Sequence, residues 1–142
     1  DVFPMSKLKG MLDKYRNMDT VAVRAGIMGD KTYPDGTKIA HVGYWNDMGT
    51  PTIPARPFFR QTIANNKKVL PQMIASLIKK GDSPESVLKK VGQHMVDEFT
   101  ESVQTWREPP NAPSTIRAKG YNAPLRGPDR LLRNSFSYEI EQ

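Results

Sequence analysis

The sequence predicts an α+β domain: a small antiparallel-type sheet packed against two or three long helices, with long irregular loops between the elements. Three observations predict it. Val87, Val91, Met95, Phe99, Val103 and Trp106 recur at intervals of four and three, the spacing of one buried helical face. Two short runs far apart in the chain, TVAVRAGIM (20–28) and SFSYEIEQ (135–142), alternate apolar with polar residues as half-buried strands do. Twelve prolines interrupt the rest, and the order of helix, strand, helix, two long helices, loop and strand suggests a small sheet backed by helices.

Each element follows from its own residues. Met5, Leu8, Met11, Leu12 and Tyr15 predict an amphipathic helix over 4–17. Val21, Val23, Ala25 and Ile27 form the inner face of the first strand, and GDKTYPDGT (29–37) is an exposed loop rich in turn residues. A short helix is expected over 38–48, capped by the Thr37 hydroxyl, with Ile39, Val42 and Trp45 on its inner face. Gly49 suits the position just past its end, and a second hairpin strand is the rival reading. TPTIPARP (50–57) cannot be helical, because each proline holds the preceding residue extended.

Pro57 suits the first position of the next helix, where its missing N–H costs nothing. Phe59, Ile63, Leu70, Met73, Ile74 and Leu77 would be the buried stripe of that helix, which Pro71 kinks or divides. Gly81 ends it. Ser83 then caps a new helix with Pro84 at its first position, running to about Thr105. Beyond Arg107, PSTIRAKG is expected to make one turn capped by Ser114, and PDRLLRNS another, before the closing strand of Phe136, Tyr138 and Ile140. One domain over 1–142 is expected, with an extended basic loop arm at about 107–133.

Composition narrows the function. There is no cysteine, so disulfides and thiolate metal sites are excluded. No apolar run approaches the ~20 residues of a bilayer span, and no membrane partner is expected. No secretory leader is expected at the start of the sequence, which opens on Asp1 rather than Met. His41 and His94 lie on separate helices without ligand-spaced neighbours, so neither a metal nor a cofactor is expected. Asp97, Glu98 and Glu101 fall between the apolar positions of the longest helix, as a solvated charged face does. A hydrolase would need a cleft joining them to His94. Ser114, Ser135 and Ser137 lack the Gly-x-Ser-x-Gly setting of a nucleophile, and the glycines form no phosphate loop. Catalysis is not expected.

The net charge of +6 is more telling. Residues 107–133 hold Arg107, Arg117, Lys119, Arg126, Arg130 and Arg133 against Glu108 and Asp129, which is +4 of that total, with Tyr121 among them. Such a segment docks on an acidic protein surface or on nucleic acid.

Two stretches resemble one family. YPDGTKIAHVGYWNDMGTPTIPARPFFR (33–60) is similar to the first block of the tail-completion, or neck, proteins of long-tailed bacteriophages and prophages. In that block an Asp-Gly turn leads to a short helix ending Asn-acidic-aromatic-Gly-Thr, followed by Ile-Pro-x-Arg-Pro-Phe-Phe-Arg. NAPSTIRAKGYNAPLRGPDRLLRNSFSYEIE (111–141) resembles the second block, where Pro-Leu, Arg-Leu-Leu, Asn-Ser and a closing strand succeed one another. This chain departs in having Met48 where the family more often has an aromatic residue. It also has RGPDRLL where an acidic-Thr-Gly turn is usual.

The resemblance implies a small α+β virion protein without enzymatic activity, assembled in the host cytoplasm. It would form a ring, commonly sixfold, at the head–tail junction. There it would meet the head connector or stopper and the tail tube or tail terminator, with non-specific contact to genomic DNA in the channel. The alternative is a basic nucleic-acid-binding protein of DNA packaging or regulation. On the ring reading, 29–37 (with Tyr33 and Asp35) and 107–133 (with Arg117, Lys119, Tyr121, Arg126 and Arg130) reach neighbours or the channel. Arg56 and Arg60 pair with carboxylates across a subunit boundary, since guanidinium binds them bidentately. Trp45, Gly49, Pro54, Pro57, Phe58 and Phe59 form a fixed corner between two helices.

Overall fold

The structure, a computed structural model, describes residues 9, 10, 13, 15, 16, 21–127 and 130–141. Its elements are β1 (Ala22–Ile27), α1 (Ile39–Met48), α2 (Phe58–Asn66), α3 (Val69–Lys79), α4 (Pro84–Thr105), α5 (Pro113–Lys119), a 3-10 turn (Arg133–Ser135) and β2 (Phe136–Glu141). The fold is α+β, as the sequence predicts. The helix expected over 4–17 falls largely outside the described residues, among them Met5, Leu8, Met11 and Leu12. Lys9, Gly10, Asp13, Tyr15 and Arg16 have helical backbone.

β1 and β2 pair antiparallel, from Ala22 opposite Glu141 to Ile27 opposite Phe136. α4 crosses one face of this two-stranded sheet. An isolated pair of strands is marginal in water, so the sheet depends on that cover. The buried side chains Val87, Val91, Met95, Phe99 and Val103 are those of the predicted stripe. Ser83 caps the helix, its hydroxyl accepting from Ser86 N–H at 3.2 Å. Just before it, Lys90 donates to Asp82 at 2.6 Å and holds that carboxyl below the usual range, aided by Ser86.

Close contact between α4 and the sheet requires Gly92. A Cβ there would stand 2.6 Å from the Tyr138 ring and 2.9 Å from Val23 Cγ2. Gly92→Ala must therefore push the sheet away despite its better helix propensity, for a net loss of about 2 kcal/mol. Chemical unfolding of Gly92→Ala with and without Tyr138→Ala checks this: the second change should recover much of the loss.

Four other expectations are corrected. α1 begins after Lys38 with no side-chain cap, and the backbone N–H of Thr37 donates instead to Asp35. Ala112, not Ser114, precedes α5, which has Pro113 at its first position and two turns rather than one. The 57–80 helix divides at Lys67–Lys68 rather than at Pro71, which sits in the first turn of α3, where proline is tolerated. The break changes the phase. In α2 the buried face is Phe58, Thr62 and Asn66, and Ile63 is 41% exposed. The described part of PDRLLRNS ends in the 3-10 turn, whereas Pro128 and Asp129 lie outside the described residues.

The core joins Ile39, Phe58, Met95, Phe99, Val103, Leu125, Leu132 and Phe136. Leu125 and Leu132 belong to the segment expected as an extended arm. That segment is folded onto the body, because its apolar residues are buried there.

Candidate functional site

The corner between α1 and α2 is held by backbone groups as much as by its aromatic residues. Gly49 ends α1 at φ 81°, and its N–H donates to Trp45 O at 2.8 Å. Its ψ of 162° is extended rather than left-handed helical, but the positive φ still favours glycine. A side chain there would also meet the Ala55 backbone at 3.0 Å. Thr50 closes the following loop through two bonds from Ile53 N–H, at 3.3 Å to its carbonyl and 2.9 Å to its hydroxyl. Arg56 N–H donates to Asn46 O at 2.7 Å, which brings the chain back to α1. Pro54 stays exposed at the bend.

Pro57 occupies the cap position of α2 and has no side-chain acceptor for the free N–H groups of the first turn. Asp47 supplies it from α1. Its Oδ1 accepts from Phe59 N–H at 3.0 Å and Arg60 N–H at 3.3 Å, and Oδ2 accepts from Arg60 Nε at 2.9 Å. Arg60 Nη2 also donates to the Asp47 carbonyl at 2.8 Å. A buried carboxylate at a helix N-terminus is favourable on both hydrogen-bond and dipole grounds. Sequence reasoning missed Asp47. The available signal was a helix starting at Pro-Phe-Phe with no local capping side chain.

These contacts correct the expected roles of both arginines. Arg60 pairs with Asp47 of its own chain. Arg56 is 6% exposed, and its Nε and Nη2 donate to the carbonyls of Pro109 at 2.9 Å and Pro110 at 3.1 Å. Burial lowers its pKa. Arg56 therefore fastens the corner to the segment after α4 instead of reaching a neighbour. Trp45 is corrected as well. It is 41% exposed beside His41, while Ile39, Gly43 and Asp47 form the buried face of α1. Phe58 and Phe59 do anchor the corner: Phe58 is 1% exposed, and Phe59 stacks on Phe99 at 4.5 Å.

In the loop before α1, Tyr33 is partly buried and packs against the core. Asp35 is exposed, and its bond from Thr37 N–H holds its carboxyl below the usual range. Lys31 Nζ donates to Ser135 O at 2.9 Å, tying this loop to the start of β2.

The basic residues gather around Tyr121. Lys119 Nζ donates to Ala123 O at 3.3 Å and Arg126 O at 3.1 Å, and Tyr121 Oη donates to Arg126 O at 3.3 Å. The Arg126 guanidinium lies 5.1 Å from the centre of the Tyr121 ring and the Lys119 ammonium 5.8 Å. Burial first, and the nearby Arg56 second, lower the pKa of Lys119. Arg117 and Arg130 are exposed on either side of this cluster in the chain.

Two grooves lie beside these elements. An apolar one of about 200 Å³ runs between α1 and α2, lined by Ile27, Ala40, Gly43, Tyr44, Phe58 and Phe59, with Asp47. Tyr44 is 63% exposed and Met48 47%. A polar groove of about 290 Å³ lies between α2 and α4, lined by Asn65, Asn66, Glu98, Glu101 and Trp106 among others. His94 meets Asn66 Oδ1 at 2.8 Å and Glu98 at 3.6 Å, so it does have a carboxylate neighbour, one turn along its helix. Asp97 instead accepts from Gln93 and is exposed. Among the described residues, no group of three or more His, Asp or Glu could hold a metal ion. No helix is long and apolar enough to cross a membrane among these residues.

No protein-family model, curated protein or solved structure matches the chain.

Proposed function

We propose that the chain is a structural, non-catalytic subunit of a ring, commonly sixfold, at the head–tail junction of a tailed bacteriophage. The ring completes the tail or joins it to the head connector around the DNA channel. One observation carries the reading: the two stretches that resemble the neck family fold against each other and leave an apolar face uncovered. The Phe58 and Phe136 rings meet edge to face at 6.3 Å, and Lys31, just before the first stretch, bonds Ser135 in the second. Beside them Tyr44 and Met48 stand exposed on α1.

A fixed corner with an apolar rim suits a heterologous contact, in which one patch meets a different patch on the next copy and rotation closes the ring. Its further partners are the connector or stopper on the head side and the tube or terminator on the tail side. A nucleic-acid-binding role in DNA packaging or regulation is the second reading, favoured by the cations around Tyr121.

The test is Tyr44→Asp with Met48→Asp. Both side chains are solvent-facing, so stability should change by less than about 1 kcal/mol. The ring should fail to form, and particles should accumulate as separate heads and tails. Joined particles with both charges in place would rule out this face as the subunit contact.

A further inference from the structure

We propose that the free edge of β2 takes an extended segment of another protein as a third strand. That segment alternates basic with apolar residues, and its cations meet Glu139 and Glu141.

β2 is paired on one side only, where β1 runs beside it from Phe136 to Glu141. In an antiparallel pair every second residue turns its N–H and C=O away from the partner. Among the described residues, no group outside the sheet bonds to the backbone of 136–141. The usual guards of an open edge are absent from this strand as well. FSYEIE has neither proline nor lysine, pairs without a bulge and has the length of an ordinary strand. The edge of β1 differs, because helices flank its end. The Phe59 ring lies 3.8 Å from where a Gly26 Cβ would stand, and Ile27 lines the groove between α1 and α2. A third strand on β2 also strengthens a sheet that is marginal with two.

The two faces of β2 define the partner. Tyr138 faces Gly92 of α4, so Glu139 and Glu141 lie on the opposite face, with side chains 51% and 45% exposed. Arg24 of β1 reaches both, at 3.9 and 2.5 Å. One guanidinium against two carboxylates leaves this strip acidic, on a chain whose net charge is +6. An added strand lies about 4.8 Å beyond β2, on the side away from Arg24, so its cations join the carboxylates without displacing that pair. On the other face Tyr138 and Ile140 are partly buried, and apolar residues of the added strand extend that layer. A second copy fits less well. Its β2 brings like charges against Glu139 and Glu141, which is unfavourable across strands. Its β1 offers one cation, Arg24, already bound to its own two carboxylates. Backbone bonds then supply the affinity, and the alternating side chains the selectivity. This contact uses other residues than the Tyr44 and Met48 face and does not depend on the ring reading.

Fluorescence anisotropy of a labelled, end-blocked hexapeptide of alternating Lys and Val, titrated with the full chain, tests it. Binding is expected with a dissociation constant of about 10⁻⁵–10⁻⁴ M. The same residues in two blocks cannot keep their cations on one face, and that peptide should bind roughly tenfold more weakly. Glu139→Gln with Glu141→Gln should weaken the alternating peptide roughly tenfold, through two lost cross-strand pairs. Both carboxylates are half exposed, so the fold should persist. Glu85→Gln with Glu101→Gln removes the same charge from exposed positions of α4 and should cost less than about twofold. With the unaltered chain, bound peptide should slow amide hydrogen exchange at alternate residues of 136–141.

The proposal is overturned if the alternating peptide is not bound, if the two peptides bind equally, or if both double variants lose affinity equally. Exchange that slows only outside β2 also overturns it. So does protection of the β2 amides that rises with concentration of the chain alone, since that would assign the edge to a second copy. Particle joining is read separately. Failure of the peptide to bind, with heads and tails still joined by the chain, removes this assignment and leaves the ring standing.

Discussion

Replacing Asp47 with alanine is expected to lower the stability of the fold by about 3 kcal/mol. The carboxylate is buried, with 8% of its side chain exposed, and accepts from two backbone N–H groups and a guanidinium. Removing it strands the first turn of α2, whose cap residue Pro57 offers no replacement acceptor. Breaking a buried charged contact costs about 3–5 kcal/mol. The lower end applies here, because the Arg60 side chain is 54% exposed and its charge regains water. Arg60→Ala should then cost under about 1 kcal/mol, since Asp47 keeps its backbone donors. Urea unfolding of the two single variants and the double checks the assignment. Equal losses for both single changes would mean that Asp47 acts through the ion pair and not as the cap of α2.

Phe99→Ala is expected to cost more, about 4 kcal/mol. Phe99 is 1% exposed and lies between Phe59 of α2, stacked at 4.5 Å with the rings 4° apart, and Phe136 of β2 at 5.4 Å. One truncation thus opens a cavity where the longest helix, the corner and the closing strand meet. Ile63→Ala, by contrast, should change stability by less than about 1 kcal/mol, because that side chain faces outward. Thermal or urea unfolding of the pair compares them directly. A large loss at Ile63 would contradict the orientation of α2.

That contrast also separates what the sequence made legible from what it did not. α4 was readable because its apolar residues keep one period over 22 residues, with an unambiguous Ser-Pro start. Both strands were readable for the same reason, at period two. The α2 face was not. Its apolar residues continue the α3 pattern across Lys67–Lys68, and only the break there shows that the phase is lost. Trp45 was misplaced because a large aromatic ring suggests burial, whereas Gly43 lies inward so that Ile27 and Leu132 can approach.

The partners of Arg56, Arg60 and Asp47 depend on how separate segments meet, and spacing along the chain does not encode that. Sequence identified the corner as fixed geometry between two helices. The structure adds a carboxylate cap and a buried guanidinium to the anchors Phe58 and Phe59. In the same way, 107–133 was readable as basic, but Leu125 and Leu132 turn it from an arm into a packed surface.

The central claim is that this chain is a ring subunit at the head–tail junction. It is tested most directly by imaging purified particles that carry the chain with a label, averaged along the tail axis. The account predicts label density confined to a ring between head and tail, and separate heads and tails when the chain is withheld. Joined particles that lack the chain, or label found only in the unassembled soluble fraction, would contradict it.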